Sequence, residues 1–84
     1  MKNTMIVEDQ YELVILNDQK VDGYGVFFSL IHCFPIYTTE LIDKIIDEIE
    51  NLGRAPCMVG TKEECKKALE FLREDGISTT IVSI

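Results

Sequence analysis

The stretch "TTELIDKIIDEIENLG", residues 38–53, sets the first constraint on the fold. Leu41, Ile42, Ile45, Ile46, Ile49 and Leu52 recur at helical spacing and make one wide apolar stripe. Asp43, Lys44, Asp47 and Glu48 occupy the opposite side. Such a helix must bury its stripe against another layer. Its ends are marked locally. Thr38 or Thr39 can cap the start, Glu40 suits the first turn, and Gly53 stands where a left-handed C-terminal residue is common.

The rest of the chain supplies that layer. "YELVIL" reads as a strand over 11–17, and "NDQKVDGYG" as the loop after it. Val26, Phe27, Leu30, Ile31 and Phe34 form one face of a helix over 24–34, ended by Pro35. "RAPCMV" is a second strand, near 55–59. Pro56 cannot donate a ladder hydrogen bond, so this strand belongs at an edge or begins at Pro56. Thr61 and Glu64 match a capping box that opens a third helix over 62–74, with Cys65, Ala68, Leu69 and Leu72 facing inward and Gly76 closing it. "ISTTIVSI" is the last strand, near 77–83. The order β-α-α-β-α-β predicts an α+β sandwich, with three helices on one face of a small, mainly antiparallel, three-stranded sheet. Residues 1–10 read as a short loose tail and 11–84 as a single domain.

Composition narrows the function. At 84 residues and 46% hydrophobic the chain is a small globular domain, with no apolar run near the roughly 20 residues that cross a bilayer. Its start lacks the apolar core of a secretory signal, so a cytoplasmic monomer is expected, with no membrane partner. The net charge of −7 argues against non-specific nucleic-acid binding and suits a cationic partner, although solubility alone accounts for it. Cys33, Cys57 and Cys65 are odd in number and lack metal-ligand spacing, so neither a disulfide framework, a metal nor a cofactor is indicated. His32 and Cys33 are adjacent on a helix and point about 100° apart, a poor catalytic dyad. With one histidine and no paired nucleophile and base, an enzyme is not expected.

"YELVILNDQ" is left over. A strand of four consecutive apolar residues delivers the chain to Asn17, Asp18 and Gln19. This is either a polar turn, in which Asn17 or Asp18 bonds the backbone, or a set of acceptors on a rigid strand end.

The element order, "YELVILND" on the first strand, "GRAPC" after the second helix and the T-x-E that opens the third together resemble the ClpS family over residues 11–84. ClpS is the adaptor that brings N-degron substrates to the Clp AAA+ unfoldase. The C-terminal domain of the ribosomal stalk protein has the same fold, and "TKEECKKALEFLREDGI" resembles its last helix, but it lacks the Asn-Asp loop. The ClpS resemblance implies that Asn17, Asp18 and Gln19 hold the α-amino group of a peptide N-terminus. It also implies a hydrophobic pocket for a large first side chain, lined by Ile46 and Ile49. A gating methionine in the family falls on Tyr24 when counted back from Gly53, and on Gly23 when counted forward from Asn17. Where the family has a histidine that helps hold the amine, this chain has Glu50. A carboxylate can take over that role by charge-assisted hydrogen bonding, or Glu50 is a solvated helix carboxylate and the role is lost. Thr61, Glu63 and Lys66 stand on or near the family's docking surface for the unfoldase's N-terminal domain. Locally, Thr61 and Glu63 also serve the helix as cap and dipole partner, Ile46 and Ile49 as core, and Tyr24 as cover for its edge. The alternative function is a protein-interaction scaffold or ribosome-associated module of the same fold, ClpS-like or ribosomal-stalk-like, without a terminus pocket.

Overall fold

The computed structural model describes residues 10–17 and 21–84; residues 1–9 and 18–20, and with them Asp18, Gln19 and most of the expected tail, lie outside the described residues. Six elements follow in the order β1 (Tyr11–Leu16), α1 (Gly23–Cys33), α2 (Thr39–Leu52), β2 (Arg54–Gly60), α3 (Lys62–Glu74) and β3 (Thr79–Ser83). The sheet order is β2-β1-β3, with both pairings antiparallel. The expected α+β architecture is the one the chain forms. Gln10 is already tied in, since the Ile84 amide donates to its carbonyl at 3.0 Å.

Burying both flanks of β1 makes it the natural place for the apolar run. Leu13 and Ile15 point into a core shared with Leu30, Ile42, Ile49, Cys57, Cys65 and Leu72. β2 is an edge strand, which accommodates Pro56 opposite Val14. Register shifts between Leu13 and Val14, leaving Cys57 as the extra residue of a bulge. The bulge changes the alternation of β2, so that Ala55 and Cys57 are buried and Met58 packs against the same core. Burial pushes the Cys57 thiol up to about 12, so it is an inert core group. The Tyr37 hydroxyl closes over this strand by donating to the Cys57 carbonyl at 2.6 Å.

Caps fix the helices where local chemistry places them. Asp22 accepts from the Gly25 amide at 2.9 Å, Thr38 from Leu41 at 3.1 Å, and Thr61 with Glu64 forms a complete capping box. β3 begins at Thr79, two residues later than the apolar pattern suggests. The Ile77 amide donates to Leu72 and the Gly76 amide to Arg73, so both residues finish α3 in a Schellman motif. Ile77 and Leu72 are both buried, the apolar contact that accompanies this motif.

Gly53 terminates α2 at φ +86°, with its amide donating to Ile49 at 2.9 Å. No atom crowds the place of a missing Cβ, so the cost of a side chain is conformational alone. Gly53→Ala is expected to cost about 1 kcal/mol, lowering the thermal midpoint by roughly 4–8 °C. A calorimetric scan beside the wild type checks it.

Candidate functional site

β1 ends beside the C-terminus of α2. The Asn17 amide donates to the Gly53 carbonyl at 2.9 Å, which pins the strand's last polar residue to the cap of that helix. Glu50 stands one turn earlier on α2, and Gly23 opens α1 alongside. These three residues surround a small cavity of about 50 Å³. Its apolar walls are Leu16, Val21, Val26, Ile46, Ile49 and Ile77, and its polar groups are Asn17 and Glu50.

Four of the expected site residues, Asn17, Ile46, Ile49 and Glu50, therefore share one cavity although three elements supply its walls. Ile49 is buried in the core and Ile46 partly so, so for these two the packing role and the lining role coincide. Tyr24 lies elsewhere. This residue is 77% exposed and lines an adjoining open groove of about 710 Å³ with Phe27, Phe28, Asp22 and Asp43. Gly23, Ile46 and Glu50 line both spaces. Of the two counts for the gating position, Gly23 is the one that faces the cavity. A Cβ there would lie 3.7 Å from Glu50 Oε2 and 4.0 Å from Ile46 Cγ2.

The electrostatics of the mouth favour a cation. Helix C-termini carry partial negative charge, and α2 has no basic residue in its last turn to offset it. Glu50 adds a full carboxylate to that end, which is mildly unfavourable for the free helix. An ammonium placed between Glu50 and Asn17 reverses the sign of that interaction and supplies donors to both.

Thr61, Glu63 and Lys66 lie at the other end of β1. Cys65 Sγ donates to the Tyr11 carbonyl at 3.6 Å, Lys62 Nζ sits 5.9 Å above the Tyr11 ring, and Tyr11 pairs with Gly60. Glu63 and Lys66 are exposed, whereas Thr61 is committed to the capping box. β1 spans roughly 20 Å, so the start of α3 and the cavity cannot obstruct each other. His32 Nδ1 is a donor to the Phe28 carbonyl at 2.8 Å, a local helix contact unrelated to Cys33.

Sequence reasoning passed over Val21, Val26 and Ile77 as cavity walls, and Asp22, Phe27, Phe28 and Asp43 as groove residues. Ile77 carried a signal in its place directly after Gly76, where a Schellman motif buries its apolar residue. The others are set by how α1 rests on α2, which no local pattern specifies.

The structure of ClpS2 from Agrobacterium tumefaciens bound to L-phenylalaninamide matches with a TM-score of 0.78. The match covers 93% of this chain and 100% of that one. The chain has the ClpS fold. Identity over the match is 18%, so the likeness to ClpS is one of backbone. No family model and no curated protein matches the sequence. Among the described residues no helix is long and apolar enough to cross a membrane.

Proposed function

We propose that this chain is a non-enzymatic, ClpS-like adaptor that captures protein N-termini and presents them to a Clp unfoldase. The observation that carries this reading is the cavity at the end of β1, with Asn17 and Glu50 at its polar side and the C-terminus of α2 beside it. A peptide's α-ammonium has the charge and the donors that this arrangement lacks, and its first side chain has an apolar space to enter. The ligand of the ClpS2 neighbour, L-phenylalaninamide, is an amino-acid amide, which offers the first of these features, a free α-amine. Asp18 and Gln19 follow Asn17 directly and join the amine site in this proposal, as acceptors for the same ammonium. Glu50 stands in for the family's histidine.

The test is a set of peptides that share one sequence and differ in the first residue: aromatic, aliphatic, small or basic. Each is titrated with a free and with an acetylated α-amine. Binding of free-amine peptides and its loss on acetylation support amine capture. Equal affinity for both forms throughout the set, or no binding to any of them, refutes it and leaves the scaffold reading.

Docking on the unfoldase's N-terminal domain is assigned to the start of α3, through Glu63 and Lys66. Thr61 is unsuited to a test, since losing a cap costs about 1 kcal/mol of stability by itself. Glu63→Arg is expected to weaken binding to the unfoldase domain by roughly tenfold while leaving the thermal midpoint within a few degrees. Surface-immobilised unfoldase domain titrated with both proteins checks it, and unchanged affinity places docking elsewhere.

A further inference from the structure

The cavity beside Asn17 holds about 50 Å³, a third of the roughly 150 Å³ of an engineered apolar cavity that takes up benzene. Its walls are branched aliphatic side chains, three of them (Val26, Ile49 and Ile77) buried in the core, so the cavity as it stands has no room for an aromatic first residue. The space does not end at these walls. Gly23 contributes no side chain at the boundary, and the cavity shares Gly23, Ile46 and Glu50 with the groove of about 710 Å³ between α1 and α2. A chain thin enough to pass Gly23 can leave the cavity and lie in that groove.

The groove's chemistry names the occupant. Tyr24 and Phe28 are 77% and 57% exposed and border the same groove, and Phe27 stands edge-on to Phe28 with centroids 5.9 Å apart. Asp22, Asp43 and Glu50 line the same groove, and among the described residues none that line it is basic. Aromatic faces bordered by carboxylates complement an organic cation on an apolar stem. A neutral aromatic side chain would gain only the rings and would desolvate the acids without compensation.

We infer that the site selects peptides whose first residue is lysine or arginine. The α-ammonium sits between Asn17 and Glu50. The methylene stem passes Gly23 against Ile46, and the terminal cation reaches Asp43 and Asp22 over Tyr24 and Phe28. This specificity rests on the amine-capture reading and adds the substrate class to it. It also gives the chain's acidity a local purpose at this groove.

Peptides that differ only in the first residue separate the two ideas: lysine, arginine, norleucine as the uncharged stem, phenylalanine and alanine, all with a free α-amine, and each with an acetylated partner. Lysine and arginine peptides are expected to bind roughly tenfold or more tighter than the norleucine peptide. That ratio should shrink as ionic strength rises from about 0.05 to about 0.5 M. Asp43→Asn should reduce the ratio several-fold, and Gly23→Leu, which fills the passage, should abolish it. If norleucine or phenylalanine peptides bind as tightly as lysine while acetylation still weakens them, the basic specificity is wrong and amine capture stands. If acetylation changes nothing for any peptide, amine capture fails and the specificity falls with it.

Discussion

Under the amine-capture proposal, Glu50→Ala is expected to weaken binding of a free-amine peptide by roughly ten- to a hundredfold, because a hydrogen bond to a charged group contributes about 1.5–3 kcal/mol. In that proposal the partner of Glu50 is the ammonium, so acetylating the peptide should cost wild-type protein a similar factor. The two losses do not add. Once the cation is gone, removing the carboxylate changes little, and the coupling in a double cycle approaches the size of either single loss. Titrating wild type and Glu50→Ala with free and acetylated forms of the tightest-binding peptide measures it. Glu50→Gln refines the result. It keeps an acceptor near the cavity and removes the charge, so it should fall between the two proteins. Full additivity in the cycle would mean that Glu50 acts on the peptide somewhere other than its amine. Glu50 lines the cavity and is exposed on the last turn of α2, so the substitution should leave folding intact, or improve it slightly by relieving an acid at a helix C-terminus.

Leu13→Ala is expected to cost about 2–5 kcal/mol. Leu13 is fully buried on the central strand, in the core that all three helices share. Its neighbours are fixed by pairing to both β2 and β3, at Met58 and Ile81, so the hole cannot close by strand movement. A domain of this size has only about 5–15 kcal/mol to lose, and the thermal midpoint should drop by roughly 10–30 °C. Peptide binding should fail at the same temperature as the fold, because Asn17 is held at the end of the same strand through Gly53. Chemical denaturation followed by far-ultraviolet circular dichroism gives the stability change. Leu13→Met, which keeps the volume, should cost less than about 1.5 kcal/mol. A Leu13→Ala protein as stable as wild type would show that the core is not organised around β1.

The features legible in the sequence are those whose physics is local. Thr38, Thr61 and Glu64 cap helices within three residues of themselves, so their side chains announce the starts of α2 and α3. The stripe on α2 repeats within one element, and Pro56 carries its edge-strand restriction in its own ring. The bulge at Cys57 was not legible, since it exists only relative to β1. The start of β3 was displaced because Ile77 is apolar for two reasons at once, as the end of α3 and as a wall of the cavity. The cavity itself could be approached only by analogy. Asn17 and Glu50 are 33 residues apart in the chain, and they line the same cavity because Asn17 bonds to the cap of the helix that carries Glu50. Gly23 shows the limit most clearly. Its importance lies in an absent side chain between two spaces, which counting along the sequence could place only to within one residue.

Amide chemical shifts followed during titration with a free-amine peptide test the central claim most directly, because they report where the peptide's terminus sits. Capture at the end of β1 predicts saturable shifts concentrated at Asn17, Gly23, Ile46, Glu50 and Gly53. It predicts little change at Glu63 and Lys66 at the far end of the strand, and collapse of the pattern when the same peptide is acetylated. Shifts centred on α3 or scattered over the sheet, or a pattern at Asn17 and Glu50 that survives acetylation unchanged, would contradict it.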